Sequence, residues 1–183
     1  MPLIDADEVQ AMHEALTSKQ RGILRADRCL SDEIIDRFLI GVTMKFGAPR
    51  VAIPIQNVAG EYEDVRCWLH PKRRTSGSPK ILHWERGYGG ARLYPSGMLK
   101  KEELVLVAGE LDALALITHG IPAITATSGE SSWPERLSQE IAGSGTTKVI
   151  VVPDNDETGV KAAQLRGASL HALGLEVRVA TWE

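Results

Sequence analysis

From Leu104 onward the chain alternates short apolar runs with amphipathic stretches, and this alternation constrains its fold more than any other feature. Leu104–Val107 is apolar throughout, Glu110–His119 reads as a helix ended by Gly120, and Ala123–Ala126 is a second strand. A helix beginning at Pro134 runs to Ile141, Lys148–Val152 is a third strand, Gly159–Leu173 is a helix ended by Gly174, and Glu176–Thr181 is a fourth strand. A strand that is apolar at every position is buried on both faces. Intervening helices supply that cover, and a strand–helix–strand order brings successive strands in parallel. The predicted class is therefore α/β, with a mostly parallel sheet flanked by helices in the C-terminal part.

The upstream part has a different texture, which predicts an α+β subdomain. Asp5–Lys19 has apolar residues at helical spacing and is closed by Gly22; Ser31 caps a second helix with Ile34, Ile35, Phe38 and Leu39 as its apolar stripe. Val51–Ile55 and Tyr62–Leu69 read as strands around the turn Val58–Glu61, and Arg73–Pro79 is a loop of turn residues. The texture changes near Gly97–Lys101, which divides the chain into residues 1–100 and 101–183.

The formal charge of −3 conceals a strong asymmetry. Between Val65 and Arg92 lie Arg66, Lys72, Arg73, Arg74, Lys80, Arg86 and Arg92 against the single acid Glu85, a net of +6 that leaves −9 for the rest. Trp68, His70, His83, Trp84 and Tyr88 are interleaved with these cations. Cations track a phosphate backbone and aromatic faces stack on bases, so the mixture suits single-stranded nucleic acid or nucleotides; a solvated basic hairpin is the equally weighted alternative. No apolar run approaches the ~20 residues of a membrane span. The start, Met1–Asp5, carries no secretory pattern. Cys29 and Cys67 cannot by themselves build a four-cysteine zinc site or a disulfide framework, so a reduced, cytoplasmic protein is expected.

Ligands of open α/β sheets collect at the carboxyl ends of strands. Two strand ends here carry acids: Val149–Pro153 leads into Asp154-Asn155-Asp156-Glu157-Thr158-Gly159, and Val105–Val107 leads into Ala108-Gly109-Glu110-Leu111-Asp112. Two unit charges ~4 Å apart repel by about 4 kcal/mol at an effective dielectric near 20, a penalty that a hard divalent cation removes. A calcium loop of the EF-hand type would need Glu where the chain has Leu165, and the haloacid-dehalogenase Asp-x-Asp-x-Thr motif opens its fold, whereas this one comes late. A helix N-terminus decorated with favourable acids accounts for Glu157 but not for both strand-tip carboxylates.

Gly109-Glu110-Leu111-Asp112-Ala113-Leu114, the Gly129 turn after a strand, and Asp154–Gly159 together resemble the TOPRIM fold shared by primases, topoisomerases and some nucleases. Upstream, Arg21-Gly22-Ile23, Phe38-Leu39-Ile40-Gly41, Ile53-Pro54-Ile55 with Gly60, and Ser78-Pro79-Lys80 resemble the RNA-polymerase core of DnaG-type and phage primase–helicase proteins, so the resemblance covers nearly the whole chain. It implies DNA-directed synthesis of short RNA primers from NTPs on a single-stranded DNA template, in a bacterial or phage-infected cell and close to the nucleoid, with no membrane partner. It also implies two Mg2+ or Mn2+ ions held by Asp154 and Asp156 with Asp112 supporting the site, Lys80 contacting nucleotide or template, and Gly109, Gly129 and Gly159 as motif glycines.

Three departures accompany the resemblance. The family's first motif begins with Glu, where this sequence has Ala108; an inactivated variant, a degenerate copy and a chain that uses Glu110 instead are all consistent with that. The family's third acidic motif is expected near where the sequence ends, as in a truncated unit. A zinc-binding domain and a helicase are expected outside the chain. Two other readings remain: a catalytically silent nucleic-acid-binding module, and a nuclease or topoisomerase, the latter needing a tyrosine nucleophile from Tyr62, Tyr88 or Tyr94. The remaining residues are structural by default: His119 is expected to cap a helix and Trp133-Pro134 to anchor the loop after Gly129, with Glu130 a candidate for contacting substrate and His70 and His83, which flank the basic loop, candidates for touching phosphate. Cys29 and Cys67 are read as packing or half-exposed thiols whose wide spacing argues against a shared metal.

Overall fold

Short polar side chains decide where the N-terminal helices start. Asp5 accepts the Asp7 N–H at 2.9 Å and opens α1 (Ala6–Glu14), whose Val9 and Met12 are buried. The sequence predicts one helix through Lys19, but the chain breaks and restarts at Thr17. The Thr17 hydroxyl accepts the Gln20 N–H while the Gln20 side chain accepts the Thr17 N–H, and this reciprocal box opens α2 (Ser18–Arg28). Such a box satisfies two backbone donors that a helix start otherwise leaves without partners, which favours a new helix over continuation of the old one. Gly22 therefore lies inside α2 and does not end it. Ser31 caps α3 (Asp32–Arg37) through the Ile34 N–H, as its position predicts.

The computed structural model describes residues 3–85, 90–129 and 132–181. The chain forms two compact units, Met1–Gly89 and Gly90–Glu183. After the three helices, the first unit has an antiparallel sheet in the order β1 (Gly41–Thr43), β2 (Arg50–Gln56), β3 (Tyr62–Trp68) and β4 (Ile81–Leu82). The two long strands are those the sequence predicts; β1 and β4 are too short to show a period. Asn57 shapes the β2–β3 turn by accepting the N–H groups of Ala59 and Glu61, and Gly60 takes a φ of 85° there. Ile4, Val9 and Met12 pack with Ala52, Val65, Cys67 and Trp84 as one core. At Gly41 the chain passes so close to α1 that a Cβ would stand 2.4 Å from the Met12 carbonyl carbon.

The second unit contains β5 (Leu93–Tyr94), a 3-10 turn at Ser96–Lys100, β6 (Glu103–Val107), α4 (Glu110–Thr118), β7 (Ala123–Ala126), α5 (Glu135–Gly143), β8 (Lys148–Val151), α6 (Glu157–His171) and β9 (Glu176–Val179). Its sheet has the order β5-β7-β6-β8-β9, with β6 to β9 parallel and β5 antiparallel on the edge. Mixed α/β architecture with a mostly parallel, helix-flanked sheet is what the apolar runs predict. The units divide at Gly89/Gly90, upstream of the Gly97–Lys101 texture change, because Leu93 and Tyr94 pair with Ala126 and Thr125 of β7. A two-residue strand carries no periodicity by which sequence could assign it. Gly120 and Gly174 follow α4 and α6 with φ of 76° and 89°, consistent with their reading as terminators. Among the described residues, no helix is long and apolar enough to cross a membrane.

Candidate metal centre and basic surface

Parallel pairing aligns the two acidic segments of the second unit. Leu106 of β6 is in register with Val151 of β8, and the Val152 N–H donates to the Leu106 carbonyl at 2.8 Å, so both chains leave the sheet at the same edge. After β6 come Ala108, half-buried, and Gly109, the extended N-cap residue of α4. Asp112 lies exposed in the first turn of α4 and folds back over Gly109, where an added Cβ would stand 2.8 Å from its Oδ2. Glycine at 109 is what permits that approach. After β8 come buried Pro153 and exposed Asp154, whose carbonyl accepts the Asp156 N–H at 2.9 Å.

Asp156 has a structural duty that its spacing does not reveal. It is the N-cap of α6, and its Oδ1 accepts the Gly159 N–H at 2.7 Å. Helix α6 thus starts at Glu157, ahead of the expected Gly159, and Glu157 pairs with Lys161 at 2.6 Å. Among the described residues, no group of three His, Cys, Asp or Glu side chains is gathered closely enough to hold a metal ion. The exposed carboxylate oxygens of Asp112 and Asp154 are nevertheless the donor type a hard divalent cation takes, and Asp156 retains a second oxygen beyond its cap. Ala108, on the β6 side of that edge, brings no donor. Glu110 is directed elsewhere: it is 7% exposed, and its charge adds to burial in pushing the Tyr94 phenol well above its ordinary pKa.

The loop after β7 is tied to α6 by a residue that sequence reading misses. Arg166, 3% exposed, donates to the carbonyl of Gly129 at 2.8 Å, and its guanidinium lies 5.1 Å from the centre of the Trp133 ring. The Trp133 indole N–H donates to the Ser138 hydroxyl at 2.8 Å, which in turn bonds Ser169 at 2.8 Å. Trp133 therefore does anchor this loop. An arginine in an amphipathic helix reads as solvent-facing, yet the spacing Ala163–Arg166–Gly167–Leu170 places it on the buried stripe, which is the signal that could have found it. Glu130 lies outside the described residues.

The described residues of the basic run are not all exposed. Arg66 is 5% exposed and donates to His83, whose other ring nitrogen donates to the buried carboxylate of Asp64. Asp64 also accepts the N–H groups of Val65 and Trp84 at 2.8 and 3.1 Å, so this polar cluster is part of the framework. Arg74 donates to the Leu69 carbonyl at 3.1 Å and is half-buried, while Arg92 belongs to the second unit and donates to the Gly90 carbonyl at 3.0 Å. Lys72, Arg73 and Lys80 are exposed; Arg86 and Tyr88 lie outside the described residues. His70 and His83, the candidates for touching phosphate, are engaged internally. The His70 Nδ1 accepts the Lys72 N–H at 3.2 Å, which leaves Nε2 to donate to Asp27 at 3.0 Å. Sequence reading also missed Arg50, 5% exposed, which donates to the carbonyls of Cys67 and Pro79 at 3.2 and 3.1 Å and so tethers the chain just before Lys80.

Residues 105–183 match the model of the Toprim-like family. The chain matches the structure of the DnaG primase catalytic domain bound to single-stranded DNA with a TM-score of 0.75 at 22% identity, covering 96% of this chain and 69% of that one. The chain has the fold of a DnaG-type primase core. The zinc-binding and RNA polymerase domains of the Aquifex aeolicus primase match with a TM-score of 0.74 at 17% identity, covering 96% of this chain and 53% of that one. The primase fragment of the bacteriophage T7 primase-helicase protein matches with a TM-score of 0.61 at 18% identity, over 85% of this chain and 62% of that one. This DnaG-like chain thus spans about half the length of the Aquifex protein. No curated protein matches it in sequence.

Proposed function

We propose that the chain is a primase-type nucleotidyltransferase core that joins ribonucleotides on a single-stranded DNA template, impaired by alanine at position 108. The observation that carries this reading is the register of β6 and β8, which delivers Asp112 and Asp154 to one sheet edge in a primase-core fold. Asp112, Asp154 and the second oxygen of Asp156 are the groups that would hold divalent ions. Two Mg2+ or Mn2+ ions held by these carboxylates would supply positive charge to offset that of an anionic triphosphate and of the pyrophosphate released from it. Gly109 lets the Asp112 carboxylate approach the backbone, and Arg166 with Trp133 holds the Gly129 loop.

Lys72, Arg73 and Lys80 supply exposed charge for template and nucleotide, with Lys80 the candidate for direct contact; buried Arg66 contributes to the framework instead. The partners in this reading are single-stranded DNA, NTPs, and a zinc-binding domain and a helicase of the kinds named for the Aquifex and T7 proteins. Such a role belongs in the cytoplasm, beside the nucleoid.

A catalytically silent binding module is the second reading, favoured by Ala108 and by the absence of a gathered three-carboxylate cluster among the described residues. The topoisomerase reading loses Tyr94: burial and the Glu110 charge keep its phenol protonated. The deciding experiment supplies Mn2+, a single-stranded template and NTPs to the Ala108→Glu chain. Short oligoribonucleotides that disappear when Asp154→Asn/Asp156→Asn is added support the polymerase; salt-sensitive strand binding without product supports the silent module.

A further inference from the structure

The sheet of the second unit ends on two strands that meet their surroundings differently. At one edge, β5 is only Leu93–Tyr94, both residues are buried, and Pro95, which has no N–H to donate, follows them. At the other edge, β9 pairs with β8 on one side, and among the described residues no strand pairs with its other side. Glu176 and Ala180 donate their N–H groups to the carbonyls of Thr147 and Val151 at 2.9 and 2.8 Å, so residues 176, 178 and 180 turn their backbone groups toward β8. The alternate residues Val177 and Val179 turn theirs away from it, and among the described residues these groups have no hydrogen-bond partner. One face of β9 is covered by α6: a Cβ on Gly167 would stand 3.3 Å from the Val179 side chain and 3.5 Å from that of Val177. On the opposite face, exposed Glu176 and Arg178 pair with each other at 2.9 Å.

An open row of N–H and C=O groups is a template for another strand, and the charges on β9 select which strand fits. A two-fold axis sets two copies of β9 antiparallel, and outward-facing residues must meet outward-facing residues. With the axis at Val177, the two copies of Val177 exchange a pair of N–H···O bonds. Glu176 of each copy then stands opposite Arg178 of the other, in the closer, non-hydrogen-bonded kind of pair. An axis at Arg178 would set the two arginines opposite each other, and an axis at Val179 would set Arg178 opposite Ala180. Opposite charges across a strand pair stabilise it and like charges directly opposite destabilise it, so the first register is favoured. Glu176-Val177-Arg178 is thus self-complementary under two-fold symmetry. We propose that β9 pairs with β9 of a second copy of this chain in that register, joining the two five-stranded sheets into one. The strands of the two copies then run in opposite directions, so their acidic edges lie at opposite ends and neither is covered. A pair of four-residue strands makes a small interface, which places the association at the weak, concentration-dependent end.

The test is sedimentation equilibrium of the whole chain from about 1 μM to about 1 mM, repeated with Val177→Pro, with Glu176→Arg, with Arg178→Glu and with an equimolar mixture of the last two. Proline at 177 removes an N–H that β8 does not use, which an edge strand tolerates, and circular dichroism checks that each variant is folded. The expected result is a monomer–dimer equilibrium that each single substitution weakens about tenfold or more. The mixture is the sharper arm. Two acids on one chain then face two arginines on the other, so variants that fail to associate separately associate together, an outcome that damage to the fold would not produce. A chain that stays monomeric throughout overturns the proposal, whether hydrogen exchange finds the Val177 N–H protected by another segment of the chain or open to a different protein. A dimer that survives Val177→Pro unchanged, or a mixture that stays monomeric, overturns it as well.

Discussion

Two sets of charged residues, one in each unit, are used in opposite ways. In the first, an antiparallel sheet built from hairpins buries Arg50, Asp64 and Arg66, and their hydrogen bonds tie β2 and β3 to the β4 region. In the second, a mostly parallel sheet has an aliphatic interior, and the acids Asp112, Asp154 and Asp156 are exposed beyond the ends of its strands. Three charges are therefore framework in the one set and three are solvent-facing carboxylates in the other, while Arg166 of the second unit is buried as framework and Lys72, Arg73 and Lys80 of the first are exposed. A run of basic residues in sequence is evidence about composition; only burial decides which of them a nucleic acid can meet.

The strongest test of this contrast is catalytic. If the acidic edge is the working site, Ala108→Glu raises the rate of oligoribonucleotide synthesis by about 10²–10⁴-fold, the usual worth of a positioned acid or base. Gel analysis of labelled products measures it, and a rate unchanged by Ala108→Glu removes the functional meaning of that edge.

Stability comes next. Leu106→Ala, in the parallel interior, is expected to cost about 2–5 kcal/mol by urea unfolding. Gly41→Ala, in the first unit, is expected to cost about 1–3 kcal/mol or more, because its Cβ would meet backbone that cannot rotate away. Limited proteolysis then locates the weakened unit; identical cleavage patterns for both variants would erase the distinction between the units.

A smaller effect separates internal from external cations. Arg66→Ala strips His83 and the buried cluster around Asp64 of a donor and is expected to cost about 1–3 kcal/mol. Lys72→Ala is expected to change stability by less than about 0.5 kcal/mol while weakening single-strand binding. Urea unfolding paired with a salt titration of oligonucleotide binding checks both, and the reverse pattern would mean that Arg66 is the surface residue.

The smallest effect is chemical. Burial, assisted by the Asp64 charge, pushes the Cys67 thiol up to about 12, whereas Cys29 is exposed at the end of α2. Thiolate is the reactive form, so near pH 8 a thiol reagent should label Cys29 promptly and Cys67 only on unfolding. Raising the pH toward 12 should begin to ionise Cys67 at the expense of folding, since its native state favours the proton. Two thiols reacting at equal rates in the folded chain would contradict this packing.

Much of the second unit was legible because parallel strands write themselves as unbroken apolar runs and because Gly120 and Gly174 mark helix ends. The strand tips follow from that pattern, and so do Asp112 and Asp154. Three things were not legible. Asp156 as a helix cap and Asp156 as a metal ligand have the same spacing. Arg166 is polar by type and buried by position, so hydropathy misplaces it. Leu93–Tyr94 belongs to the second sheet through a pairing with β7 that no local pattern records. In the first unit, the Thr17–Gln20 box was visible in sequence but competes with an uninterrupted apolar spacing, and its side-chain bonds prevail.

The proposed chemistry requires that the carboxylates beyond β6 and β8 hold divalent cations. Electron paramagnetic resonance of Mn2+ titrated into the chain, compared with Asp154→Asn/Asp156→Asn, tests it directly. Asparagine preserves the α6 cap while removing charge, so the fold is retained. Saturable Mn2+ binding that is lost in the double variant and strengthened in Ala108→Glu is the expected result; Mn2+ binding equal in all three chains, or absent from all three, would rule out a cation site at these carboxylates.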